Sequence, residues 1–134
     1  MTAVARLRNV VVDCPDPHAL ADFYARVGGG TPRAEDDDWV VLQIPDGPRL
    51  AFQRASGHTP PEWPRADLNS QQFHLDFDAG STWEEVDAAH AKVLALGARP
   101  LDLEDDVKKD FRVYADPAGH PFCLCRIESP DGSA

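Results

Sequence analysis

PDGPRLAFQR (45–54) and PAGHPFCLCR (117–126) align without a gap. Pro45 falls on Pro117, Gly47 on Gly119 and Arg54 on Arg126, while Leu50 and Phe52 match Phe122 and Leu124. Each segment is a turn followed by a strand. Proline and glycine reverse the chain, and the apolar residues that follow alternate with others at the period of a strand. The repeat extends upstream, where Trp39 falls on Phe111 and the segments Trp39–Ile44 and Phe111–Ala115 read as the strands entering the two turns.

Further out, each half opens with a strand and a helix. In the first, LRNVVVD (7–13) is a short apolar strand. Asp16 can cap the helix after it, Pro17 suits the first helical position, and Leu20, Phe23, Tyr24 and Val27 form one apolar stripe before Gly28-Gly29-Gly30 ends it. A short strand fits Thr31–Glu35. In the second half QFHLDFD (72–78) alternates, and Ser81-Thr82-Trp83-Glu84 has the form of a capping box. It opens a helix with Val86, Ala89, His90, Val93 and Leu96 on its stripe, stopped by Gly97; a short extended piece at 99–103 follows. The helix endings VGGGTPR and LALGARP echo each other. The sequence therefore predicts an α+β fold of duplicated βαβββ modules. Module one spans about 6–54, a proline-rich linker 55–71, module two 72–127, and a short tail follows. Joined edge to edge, the modules would form a curved, half-open, eight-stranded mixed sheet, each module covered by one helix, with a ligand cavity on the face turned away from the helices.

A chain of 134 residues suits one domain. The formal charge of −10 argues against nucleic acid and anionic membranes and favours a cationic ligand if it acts at all. No apolar run approaches the ~20 residues of a membrane span, and the N-terminus lacks the pattern of a signal peptide. Cys14, Cys123 and Cys125 are odd in number and lack zinc-type spacing, so a reducing cytoplasm is expected.

DCPDPHALADFYARVGG (13–29), HLDFD (74–78) and DPAGHPFCL (116–124) resemble the vicinal oxygen chelate superfamily, which includes glyoxalase I, extradiol dioxygenases, and fosfomycin and bleomycin resistance proteins. The resemblance covers nearly the whole chain and implies the same duplicated βαβββ fold. It also implies up to four metal-holding positions, one on each first and last strand of the two units. These fall on Asn9, where histidine is usual; on Ala51, where glutamate or histidine is usual and Gln53 is the nearest polar neighbour; on His74, which matches; and on Cys123, where glutamate is usual. Such ions want several well-placed donors, so no metal site and no firm cofactor is expected, with weak divalent binding through His74 and Cys123 left open.

The expected site follows. His74 is the candidate catalytic base. Asp76 shares its face, and Cys123 offers a small neutral side chain. Asn9, Gln53, Arg112, Tyr114 and Trp39 are candidate substrate contacts, Arg112 and Tyr114 on condition that Phe111 and Val113 face the helix. His90 is expected at the core edge and Trp63, in the linker, as a lid or dimer contact. Two functions fit: a lyase or isomerase acting on a small polar metabolite without a tightly bound metal, or a bleomycin-resistance-like protein that sequesters a cation without turnover. A homodimer is implied by the resemblance alone.

Overall fold

The computed structural model describes residues 3, 6–65, 67, 69, 73–104 and 109–127. The chain divides into two compact units, Met1–His58 and Thr59–Ala134. The first contains β1 (Val10–Cys14), α1 (Pro17–Gly28), β2 (Arg33–Asp36), β3 (Trp39–Gln43) and β4 (Arg49–Arg54). The second contains β5 (Leu75–Gly80), α2 (Trp83–Ala95), β6 (Arg99–Asp102), β7 (Phe111–Ala115) and β8 (Pro121–Arg126). Hydrogen bonding gathers the eight strands into two four-stranded sheets, ordered β1-β4-β3-β2 and β5-β8-β7-β6. In both, the first strand lies parallel to the last, and the other pairings are antiparallel. This is the βαβββ module twice. Of the strand expected over 72–78, position 72 lies outside the described residues.

The helices begin where their capping chemistry dictates. The Asp16 carboxylate accepts from the Ala19 amide at 3.2 Å, with Pro17 at the first position. The box expected at Ser81–Glu84 sits one residue later. Thr82 Oγ1 accepts from the Glu85 amide at 3.1 Å, and Glu85 reaches back to the Ser81 amide at 3.3 Å. Both pairs are three residues apart, but α2 starts at Trp83, so Thr82 occupies the cap and Glu85 is its partner.

Each helix lies on its own sheet. α1 packs on β3 and β4 through Leu20, Phe23 and Tyr24, and Tyr24 stacks on Phe52 with ring centroids 5.8 Å apart. Burying a side chain such as Phe52 contributes about 2 kcal/mol. α2 packs on β5 and β8.

The repeat in the sequence is a repeat of bonds. The Arg54 amide donates to Asp38 O at 2.9 Å, and the Arg126 amide donates to Asp110 O at 2.7 Å. Their side chains pair with the same aspartates, Arg54 Nε with Asp38 at 2.8 Å and Arg126 Nη2 with Asp110 at 2.6 Å. One residue on, Ala55 N bonds to Cys14 O and Ile127 N to Gly80 O, both at 2.9 Å. In each module, then, the last strand is clipped at its far end to the first strand and to the residue preceding the third. No helix among the described residues is long and apolar enough to cross a membrane.

Candidate functional site

The register of the second sheet sorts its side chains onto two faces. Leu75 pairs with Phe122 and Phe77 with Leu124 across β5–β8; Tyr114 pairs with Phe122 and Arg112 with Leu124 across β7–β8. Directly paired residues share a face, so this set points one way. Tyr114 and Arg112 reach α2: the tyrosine hydroxyl lies 2.8 Å from His90 Nδ1, and Arg112 Nη1 donates to Asp87 at 2.8 Å. The face turned away from α2 therefore carries Asp76, Cys123 and Val113 in one row, with Asp78, Cys125 and Phe111 in the next.

This corrects the expected orientation of Arg112 and Tyr114. Neither shares the face of Asp76 and Cys123: Tyr114 is fully buried and Arg112 is 8% exposed under the helix, where its guanidinium also covers the Trp83 ring at 5.2 Å. The cause is the length of the turn. Asp116 and His120 close it, the Asp116 amide donating to His120 O at 2.8 Å, and residues 117–119 form the loop. A three-residue loop pairs Tyr114 with Phe122, which already faces the helix.

On the side of Asp76, His74 stands just before β5 and its Nε2 lies 3.3 Å from Asp76 Oδ1. Cys123 is Asp76's direct neighbour on β8. The donor atoms of His74, Asp76 and Cys123 all lie within 4.8 Å of one another. The histidine and carboxylate are exposed, while the thiol beside them is buried. The sequence placed all three on one face; it did not show that the carboxylate meets the imidazole.

Electrostatics keep the thiols neutral. Burial pushes the Cys123 thiol up to about 12, and the neighbouring Asp76 carboxylate adds to the rise, with Lys109 opposing it. Cys125 is raised to about 11 by burial, then by Asp76 and Asp78. Neither is a nucleophile at neutral pH. Lys109 is engaged elsewhere, 2.7 Å from Asp102.

A nitrogen, a carboxylate and a sulfur so close together fit a borderline-soft divalent ion of the zinc type, with room left for an outside ligand. They suit magnesium or manganese less well, since those ions prefer oxygen. A cation there would reverse the sign of the local field and draw the proton from Cys123. The sequence reading had only the His74–Cys123 pair; Asp76 completes a set of three.

The remaining candidates lie in module one. Trp39 and Gln53 are direct partners across β3–β4, in line with Val41 and Ala51 on the face turned away from the Tyr24–Phe52 stack. Trp39 is half-buried and Gln53 exposed. Asn9 precedes β1, and its Oδ1 is buried without a hydrogen-bond partner among the described residues.

A family model described as a glyoxalase-like domain matches residues 9–125. No curated protein sequence matches the chain. A glyoxalase/bleomycin resistance protein/dioxygenase family enzyme from Burkholderia phytofirmans PsJN is similar in structure, with a TM-score of 0.68 and 20% identity over 90% of this chain and 97% of that one. A possible glyoxalase from Bacillus cereus reaches 0.66 and 17% over 92% of this chain and 99% of that one. A variant of the fosfomycin resistance protein FosX from Listeria monocytogenes, complexed with Mn(II) and 1S,2S-dihydroxypropylphosphonic acid, reaches 0.66 and 14%, over 92% and 91%. At these identities the likeness is one of fold.

Proposed function

Because the chain belongs to the glyoxalase-like family within the vicinal oxygen chelate superfamily, we propose that it is a small-molecule enzyme of the isomerase or lyase type acting on a small polar carbonyl compound. The observation that carries this reading is the 3.3 Å approach of His74 Nε2 to Asp76 Oδ1, two exposed side chains on the side turned away from α2. A carboxylate beside an imidazole fixes its tautomer and stabilises the imidazolium formed when the ring takes a proton. With Nε2 turned to Asp76, Nδ1 is the nitrogen that receives a proton from a carbon next to the substrate carbonyl. The C–H electron pair moves into an enolate. Where the carbon that lost its proton bears a hydroxyl, that hydroxyl proton passes to the former carbonyl oxygen and the imidazolium returns its proton to the former carbonyl carbon, which completes an isomerisation. Where the next carbon carries a leaving group, that group departs with its bonding pair in a lyase reaction. Cys123 stays protonated and serves as a polarisable wall. Asn9, Gln53 and Trp39 stay candidate ligand contacts within module one, and Arg112 and Tyr114 leave the proposal.

A divalent ion held by His74, Asp76 and Cys123 would polarise a carbonyl oxygen as a Lewis acid. The two roles compete for one imidazole, so a chelator separates them. The test is deuterium exchange from D2O into a panel of small α-hydroxycarbonyl compounds, followed by proton NMR in the presence of EDTA. Exchange should persist in EDTA and fall about a hundredfold in His74→Ala. Exchange that vanishes in EDTA and returns with zinc overturns the metal-free base, and no exchange with any compound overturns the enzyme.

The charge of −10 and the half-buried Trp39 favour a second reading, sequestration of a cationic small molecule. Binding of such a ligand that survives His74→Ala and weakens with salt would select it. We also propose a cytoplasmic homodimer. Cys14, Cys123 and Cys125, none of them in a disulfide among the described residues, support the compartment, the family resemblance supports the dimer, and sedimentation velocity tests it.

A further inference from the structure

The described part of module one contains a cleft of about 520 Å³ at the end of its sheet, remote in sequence from His74, Asp76 and Cys123. It is formed where the segment leading into β1 passes the turn between β3 and β4. Arg6, Arg8 and Arg49 line it together with Gln43, Gly47 and Pro48. No carboxylate is among the described lining residues. In a chain of net charge −10, such a local concentration of guanidinium groups is the opposite of the average surface.

The arginines differ in what holds them. Arg6 and Arg8 are exposed and have no hydrogen bond or ion pair among the described residues. Arg49 Nη2 stands 3.6 Å from Glu35 Oε1, an oxygen it shares with Arg33 at the same distance. Its Nε is buried and has no hydrogen-bond partner among the described residues. At 3.6 Å the Glu35 contact is too long for a hydrogen bond, so the Arg49 fork is not saturated by it, and an oxyanion in the cleft would meet a charged donor. The rim is built: Gln43 Nε2 donates to Ile44 O at 3.1 Å and to Gly47 O at 2.9 Å, which holds the turn in shape.

We propose that this cleft binds the phosphate group of a small phosphorylated molecule. Three guanidinium charges, with Glu35 divided between Arg33 and Arg49, match a dianion better than a single carboxylate. Phosphate also presents several oxygens to forked donors that pair bidentately. The volume suits a metabolite of moderate size. The charge of the whole chain opposes approach to nucleic acid or an anionic lipid surface, which makes the ligand small.

The test is a titration of the full chain with inorganic phosphate and with glycerol 3-phosphate at constant ionic strength, followed by amide NMR shifts at Gln43 and Gly47. Both ligands should shift these amides saturably, while chloride at matched ionic strength should not. Arg6→Gln/Arg8→Gln, which alters only exposed positions ahead of β1, should weaken binding about tenfold or more, and adding Arg49→Gln should abolish it. His74→Ala should bind phosphate as the parent does. No saturable shift, binding unchanged in the Arg6→Gln/Arg8→Gln variant, or association with anionic phospholipid vesicles but with neither soluble phosphate would overturn the proposal.

Discussion

Trp83 meets two guanidinium groups, Arg112 at 5.2 Å and Arg126 at 5.1 Å, each also tied to an aspartate, Asp87 and Asp110. One ring thus orders two charged side chains from β7 and β8 against the start of α2. Trp83→Ala should cost about 2 kcal/mol in urea unfolding, from lost contact area and lost cation–π attraction. Arg112→Lys should cost about half that, because an ammonium keeps the charge and loses the planar stack. Lys109 and Asp102 form a smaller pair at 2.7 Å, and the Lys109 contact holds the Asp102 carboxyl below the usual carboxylate range. A depressed folded value means that the pair stabilises above the unfolded carboxyl's pKa, about 3.9, and that this contribution is lost as pH falls through the folded value. The stability gap between the parent chain and Asp102→Asn should therefore be about 0.5 kcal/mol at neutral pH and shrink below about pH 4, as read from urea midpoints across pH. None of these partners was legible from sequence distance. Acidic and basic residues are plentiful enough that only the register selects the pairs.

The capping of α1 was plain from Asp16-Pro17, whereas α2 offered two overlapping hydroxyl–carboxylate spacings and only the one from Thr82 closes. Thr82→Ala should lower stability by about 1 kcal/mol, measurable as a shift in thermal midpoint, while Ser81→Ala should change it far less. Strand positions followed from alternation, and the shared face of His74, Asp76 and Cys123 followed with them. The face of β7 did not, because alternation fixes that neighbours point apart and leaves open which way the set points. The three-residue turn decides it, and Asp116 holds that turn by accepting from the Ala118 amide at 2.8 Å and the His120 amide at 3.0 Å. Inserting one residue between Pro117 and Gly119 should turn Arg112 and Tyr114 out from under α2 and unfold the unit, read as a loss of circular dichroism signal and of the melting transition.

At the scale of the whole chain, the duplication was the most legible feature, since aligned turns and a shared terminal arginine mark two copies of one module, and the paired bonds of Arg54 and Arg126 are its physical counterpart. The site was half legible. Its face could be read, but the meeting of Asp76 with His74 depends on side-chain directions at the start of β5, and the arginine cleft depends on where a segment without regular structure runs. A ligand that binds only the folded state raises stability by mass action. Zinc should accordingly raise the melting temperature of the parent chain and EDTA should reverse it, magnesium should do little, and Cys123→Ser should reduce the zinc effect. The parallel pairing of first and last strands bears on how the molecule is made. Val10 finds its partner only when Leu50 has been synthesised, and Leu75 only with Phe122. A nascent chain emerging from the ribosome thus carries β1 without its strand partner, and α1 with only part of its apolar side covered, until the module's final strand appears. Each module must close late and in one step, and a translational pause ahead of Arg49 or Pro121 would prolong the interval in which chaperones have something to hold.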